Sequence, residues 1–510
     1  MPFESILFLN PLPDFEENNP SVPGFFNDLN LDQIFNTIAS SKKEYNLLPF
    51  FYEPLKDIES ILYRQAILKD LEKTELYKAI IAFASGMEKV RRCLEKHEKY
   101  YYQIQKQRWF LDAAGVYCES LIRLGSDLNP SFIESEGLKS FYSFITDYIT
   151  SEYFQTMEKR IRELQNKLQN IQYALLIKEN TIRVRKYNGE ENYQIEVEKT
   201  FEKFKQLSKK EYLYEFGYNN EMNHIEAAII NQVARLFPEV FSDLVNFTVD
   251  YSNFLNPLIT RFDREVQFYI GYLEYIMKFQ KAGYRFCIPE VSKRKSISVK
   301  SCFDLALANT LFFKNQQIIR NNFYLSGPER VIVVTGPNQG GKTTFARTFG
   351  QLHYLGALGL KVPGISARLF LFDKIFTHFE KQEEIKNLRG KLQDDLIRFY
   401  EIFEEATSDS IFLINEIFTS TSLNDAIFLS KKILNKILDL DALCVCVTFI
   451  DELSTISEKT VSMVSKVDET NHDRRTFKIE RQTADGLSYA ISIAQKYDLT
   501  YDLIKDRMKS

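Results

Sequence analysis

The chain has 510 residues, 45% of them hydrophobic, and a formal net charge of −4. That length excludes a single small module and predicts more than one domain. The near-neutral charge gives no global pull toward nucleic acid, so contact with a polyanion requires a local basic surface. The N-terminus, MPFESILFLNPLPDFEENNP, has no basic start ahead of a long apolar run and does not read as a signal peptide. No run of about 18 uncharged apolar residues is present to span a membrane. Cys93, Cys118, Cys287, Cys302, Cys444 and Cys446 form no CxxC pair and no zinc-type spacing with histidine. They read as reduced thiols of a cytoplasmic protein, with Cys444 and Cys446 in a buried strand.

After an N-terminal segment, 1–30, the stretch 31–282 is helical in pattern and poor in glycine. Within Tyr153 to Ala174, residues Met157, Ile161, Leu164, Leu168 and Ile171 recur at three- and four-residue spacing and predict a helix-packing seam. The period then changes. Residues 175–198 read as a β-hairpin, with Ile182 and Val184 facing Ile195 and Val197 across the turn Tyr187-Asn188-Gly189-Glu190. The helical half is thus expected to be an arm with a small hairpin at its tip. Arg183 and Arg185 share one face of that hairpin, with Lys186 beside them, and are candidates for phosphate contact. Glu196 and Glu198 on the expected partner strand offer the alternative of cross-strand ion pairing.

From 283 to 510 short β-rich runs alternate with helical stretches, the signature of a parallel sheet with crossover helices. The predicted fold class is therefore a helical domain carrying a small hairpin, followed by an α/β nucleotide-binding domain. The run Val331 to Thr335 leads into Gly336-Pro337-Asn338-Gln339-Gly340-Gly341-Lys342-Thr343-Thr344, which satisfies G-x-x-x-x-G-K-[ST] between a strand and a helix over Phe345 to Leu358. Glycines let backbone N–H groups turn toward phosphates, and a helix N-terminus favours negative charge there. The expected ligands are ATP and Mg²⁺, with Lys342 on the β- and γ-phosphates and Thr343 on the metal. A second apolar strand, Ser410 to Ile414, ends in Asn415-Glu416. Glu416 is the candidate general base. Asn415 stands where an aspartate is usual; it can hold a metal-bound water but adds no charge.

The loop TGPNQGGKTT resembles the phosphate loop of MutS-type mismatch-repair ATPases, TGPNMGGKST, and its internal Pro337-Asn338 is far more specific than the generic motif. The likeness continues through Ile375-Phe376-Thr377, Asn415-Glu416-Ile417 with Thr421, Ser422 and Asp425, and Thr448 to Leu453, which resemble the family's RIFTR, DEIGRGTS..D and THYFEL blocks. Leu55 to Gln65 resembles the start of the family's core domain. The resemblance implies a short MutS-like protein without the N-terminal mismatch-recognition domain: a core and lever with a reduced clamp, then a dimerising P-loop ATPase domain of ABC type. It implies a slow Mg²⁺-dependent ATPase that binds double-stranded or branched DNA in repair or recombination, as a homodimer with repair partner proteins. Asp485 to Ala490 resembles the C-terminal segment that helps pair two such domains.

Three positions depart from the family pattern. Gly390 stands where a signature serine reaches the neighbouring subunit's γ-phosphate, with Arg389 and Lys391 as substitute cations. Thr448-Phe449 replaces a threonine-histidine pair, which removes a polar γ-phosphate sensor, and Asn415 is the third change. These changes leave two alternatives: a nucleotide-gated binding protein with little hydrolysis, or an ATPase acting on structured RNA or the ribosome. Phe51-Tyr52-Glu53 matches the family's Phe-x-Glu mismatch wedge, but its place directly before the core-like segment predicts ordinary packing.

Overall fold

The computed structural model describes residues 3–9, 21–179, 181–189, 222–379, 390–468, 475–484 and 505. The chain forms two compact units, one of residues 1–3 and 70–263, the other of residues 4–69 and 264–510. Their boundaries differ from the change of sequence texture near residue 282, because residues 4–69 and 264–281 pack with the sheet-bearing portion.

The first unit is built on a pair of long helices, Thr74–Lys99 and Gln103–Asp127, against which Glu136–Thr150, Glu152–Gln169 and Pro238–Asp250 pack. In Glu152–Gln169 the predicted stripe is buried at Met157, Ile161 and Leu164, joined by Phe154. The helix stops five residues short of Ala174, and β1 (Tyr173–Lys178) has begun by then. His224–Leu236 starts with a capping box, in which Asn223 Oδ1 accepts from Glu226 N and Glu226 Oε2 accepts from Asn223 N, both at 2.9 Å.

The described residues show a hairpin on the N-terminal side of the expected one. β1 runs antiparallel to β2 (Thr181–Lys186), with Ile182 opposite Ile177 and Val184 opposite Leu175. After β1 the chain turns at Glu179, which takes φ 51°. β1 and β2 are of equal length and their pairing occupies one edge of β2, whereas the expected pairing across Asn188-Gly189 involves residues 195 and 197. Residues 195–198 lie outside the described residues.

The second unit carries a six-stranded sheet of order β10-β11-β12-β7-β13-β14. Ahead of it in the chain come β3 (Phe286–Cys287), β4 (Glu290–Ser292), β5 (Ile297–Cys302) and β6 (Asn321–Leu325). β7 is Val331–Thr335, and β8 (Val362–Pro363) and β9 (Ser366–Phe370) follow. β10 is Ile375–His378, β11 Ile411–Asn415, β12 Leu443–Val447, β13 Thr460–Val467 and β14 Arg475–Arg481. Strands β10 to β13 and β7 pair in parallel, and β14 is antiparallel to β13. β4, β9, β5 and β6 form a smaller sheet in that order.

β7 is buried along its whole length, as its unbroken Val/Ile content requires of a central parallel strand. Val331 and Val333 pack with Phe412, Ile414, Cys444 and Cys446 against the helices Lys391–Glu405 and Leu423–Asp439. On the other face the helix Lys342–Ala357 presses close enough that a Cβ on Gly350 would lie 2.6 Å from Leu413 Cδ1. Both buried cysteines have their thiols pushed well up by burial, so they act as apolar core.

The segment resembling a family core domain docks on that helix. Leu55 N donates to Ala357 O, and the buried Arg64 donates to Leu7 O and Leu358 O at 2.8 and 3.2 Å. Phe51 is fully buried, stacked on Phe35 at 4.6 Å and beside Phe268 at 4.7 Å. The ring is core and has no access to a base stack. Among the described residues, no helix is long and apolar enough to cross a membrane. The packing of Phe51 predicts that Phe51→Ala destabilises the fold by about 3–5 kcal/mol in chemical denaturation. Unchanged stability would show that the ring is not in the core.

Candidate nucleotide site

β7 ends at Thr335, and the chain turns at Gly336 with φ 117°, a conformation open to glycine. Space is equally restrictive: a Cβ on Gly336 would lie 3.0 Å from Ser465 O, and one on Gly340 would lie 2.3 Å from Ser465 Oγ. Ser465 is buried in β13, and its hydroxyl donates to Gly340 O at 2.7 Å. Gly341, at φ 92°, caps the helix Lys342–Ala357. The loop residues from Gly336 to Thr344 thus run from a central strand into a 16-residue helix whose N-terminal N–H groups carry partial positive charge.

Lys342 is buried, with 3% of its surface exposed. Its Nζ donates to Gly336 O at 2.9 Å and Pro337 O at 3.1 Å, and lies 4.0 Å from the centroid of the Phe449 ring. Burial lowers the ammonium to about 8; the Glu416 carboxylate opposes that fall and the Arg475 cation adds to it. Thr343 Oγ1 donates to Asn415 Oδ1 at 2.8 Å across the β7–β12–β11 row. An asparagine oxygen accepts that bond as an aspartate would, without the negative charge.

Glu416 follows β11 in the left-handed region, φ 54°, and its N–H donates to Val447 O at 2.9 Å. It lines a cavity of about 1050 Å³ together with Asn338 to Thr344. The far wall is largely apolar, from Leu307, Leu311, Ile318 and Ile319, and Phe477 closes one side. Phe477, at φ 57°, is held by Asn321, whose Nδ2 donates to Phe477 O at 3.2 Å and whose Oδ1 accepts from Ile479 N at 2.9 Å. Arg475 lines the same cavity and donates through Nε to Asn338 O at 3.2 Å.

The structure therefore brings together the loop, Lys342, Thr343, Asn415 and Glu416, all singled out in the sequence. A phosphate-sized cradle, a hydroxyl–amide pair and a carboxylate around one cavity fit a nucleotide with its magnesium ion. Ser465, Arg475 and Phe477 escaped sequence reasoning; none belongs to a motif, and only the strand order places them at the loop. Gly390 caps the helix Lys391–Glu405 and is exposed, while Lys391 Nζ donates to Thr419 Oγ1 at 3.2 Å. Arg389 and Asp485 to Ala490 lie outside the described residues. Arg183, Arg185 and Lys186 are exposed on β2; Leu176 and Ala174 lie opposite the two arginines, and Lys186 Nζ lies 5.1 Å from the Phe237 ring.

The family model for MutS domain V matches residues 332–509, and that for the MutS2 N-terminal domain matches residues 56–282. The chain belongs to the MutS family. The DNA mismatch repair protein MutS of Thermotoga sp. (strain RQ2) is 22% identical over 282 residues, covering 48% of this chain and 35% of that protein. The MutS proteins of Thermosipho melanesiensis and Bacillus velezensis are 30% and 27% identical over 182 and 194 residues, covering 35% and 37% of this chain. In both cases the match takes in 22% of the relative, so the chain spans about a third or less of the length of these MutS proteins.

Two outcomes follow for this MutS-family site. Gly340→Ala forces a methyl group onto Ser465 Oγ and should abolish binding of a fluorescent ATP analogue, with partial recovery in Gly340→Ala/Ser465→Gly. Undiminished binding by the single variant would mean that the loop is not the cradle. Because the Lys342 ammonium has been lowered to about 8, it is fully charged below that pH and loses its proton above it. ATP affinity should hold steady below about pH 8 and fall above it, relative to Lys342→Met at each pH; parallel curves would contradict the lysine's role.

Proposed function

We propose that the chain is a MutS-like ATP-dependent DNA-binding protein, a slow Mg²⁺-dependent ATPase that acts as a homodimer on double-stranded or branched DNA. The observation that carries the reading is the convergence of Lys342, the Thr343–Asn415 pair and Glu416 on one cavity beside a phosphate loop of the MutS form. The phosphates would lie against the N-terminus of the helix Lys342–Ala357, and the apolar wall of Ile318 and Ile319 suits a purine face.

When bound, Mg²⁺ would draw charge off the phosphate oxygens, held by Thr343 Oγ1 and, through water, by Asn415. The chain's own residues then divide the work. Lys342 neutralises the β- and γ-phosphates, Glu416 takes a proton from the attacking water, and the buried β11–β12–β7 row keeps the three groups in register. Asn415 supplies no charge to the metal, and Phe449 offers no hydrogen bond to a γ-phosphate, so turnover is slow relative to binding.

Phe449 also favours a second reading, a nucleotide-gated binding protein with little hydrolysis. For the nucleic acid, the exposed Arg183, Arg185 and Lys186 on the hairpin provide a local basic surface on a chain of near-neutral charge. The DNA-repair names of the relatives support DNA over RNA. ATP gates binding only through unequal contacts in two states of the assembly.

One experiment separates the readings. Phosphate release is measured for the wild type and Glu416→Gln, and homoduplex, mismatched, four-way-junction and structured-RNA ligands compete for the protein with and without ATP. The expected result is slow turnover in the wild type, at least about 10-fold lower in Glu416→Gln with ATP binding retained, and preference for a DNA form. Equal turnover in both proteins would favour the gating reading; preference for RNA would overturn the DNA assignment.

A further inference from the structure

The nucleotide reading treats Lys342 as a phosphate ligand, yet in the structure its ammonium is fully engaged elsewhere. Two of its N–H groups go to the loop's own carbonyls, Gly336 O and Pro337 O, at 2.9 and 3.1 Å. The Phe449 ring takes a third side, 4.0 Å from Nζ to the ring centroid. At that distance the negative face of a phenyl ring attracts a cation, more strongly where water is excluded. Lys342 is such a partner, at 3% exposure. Phe449 itself is 48% exposed, so apolar burial does not account for a ring there.

Its backbone is fixed by the same strand that carries the loop. Thr448 N donates to Val334 O at 3.0 Å, and Thr448 Oγ1 accepts from Ile450 N at 3.0 Å, so both neighbours of Phe449 are held. A polar side chain at this position would offer a hydrogen bond to a phosphate. A phenyl ring offers nothing to an anion and a favourable face to the lysine. Its effect is therefore on the lysine.

We propose that Phe449 is a positioning residue that holds the Lys342 ammonium against the Gly336 and Pro337 carbonyls, so that a β-phosphate must draw the lysine off the ring in order to bind. The inference rests on the nucleotide reading of the same site. It assigns Phe449 a selective effect: nucleotides that recruit the lysine are opposed, and a nucleoside monophosphate, which has no β-phosphate, is not.

The test measures equilibrium binding of ATP, ADP and AMP, with Mg²⁺, to the full chain as wild type and Phe449→Leu. Loss of a cation–π contact of ordinary strength should tighten ATP and ADP binding about 5-fold in Phe449→Leu. AMP binding should not change. Phe449→Met replaces the leucine variant if that protein does not fold. In a Lys342→Met background, Phe449→Leu should leave the thermal midpoint of nucleotide-free protein unmoved, whereas it lowers it when Lys342 is present. Equal shifts for all three nucleotides, no shift with ATP, or the same loss of midpoint in both backgrounds would overturn the inference. A wild type that binds no ATP would overturn the nucleotide reading and this inference together; a binding wild type matched by Phe449→Leu overturns this inference alone.

Discussion

Ser465 lies so close to Gly336 and Gly340 that neither residue has room for a side chain, and its hydroxyl ties Gly340 O to β13. The contact follows from strand order. β13 pairs in parallel with β7, with Val464 opposite Thr335, so the next residue on each strand meets the other at the edge where β7 ends. The loop is thereby pinned between its own strand and that neighbour. It has to turn over the C-terminal edge of the sheet, where ligands of open α/β sheets bind. The helix Lys342–Ala357 starts where this turn ends, and the placement of Lys342 and Thr343 depends on it.

The electrostatics of the site come from the same confinement. Burial lowers Lys342, and Arg475, reaching Asn338 O from β14, adds to the effect. Glu416 acts in the opposite direction from the end of β11. The cavity is lined by two cations, Lys342 and Arg475, and by the carboxylates of Asp304, Glu416 and Asp468, of which Asp304 pairs with Arg347; the helix N-terminus adds partial positive charge on the loop side. Beside Thr343, where an aspartate is usual, stands Asn415, which keeps the hydrogen bond and omits the charge.

Much of this was legible in the sequence because it is local. The strand Val331–Thr335, the glycine turn and the following helix lie within thirty consecutive residues, and each carries its own signal of apolar run, left-handed glycine or helical period. Asn415 and Glu416 were legible because they end a second uninterrupted apolar strand. The contributions of Ser465, Arg475 and Phe477 were not, since a serine inside a strand has no signature until the strand order sets it against Gly340. Phe449 was legible as a lost hydrogen-bonding group, but its contact with Lys342 required the β12–β7 pairing. The pairing of β2 with β1 was not legible for a related reason: Ile182 and Val184 have apolar candidates on both sides in sequence, and periodicity does not choose between them.

On the proposed reading, the Gly336–Thr343 loop receives nucleotide phosphates and Lys342 moves to meet them. The most direct measurement is a crystal structure with Mg²⁺ and a non-hydrolysable ATP analogue. The triphosphate is expected over the N-terminus of the helix Lys342–Ala357, with Lys342 Nζ on the β- and γ-phosphates and drawn away from Gly336 O and the Phe449 ring. An analogue bound elsewhere, or a lysine still on its carbonyls beneath a bound triphosphate, would contradict it.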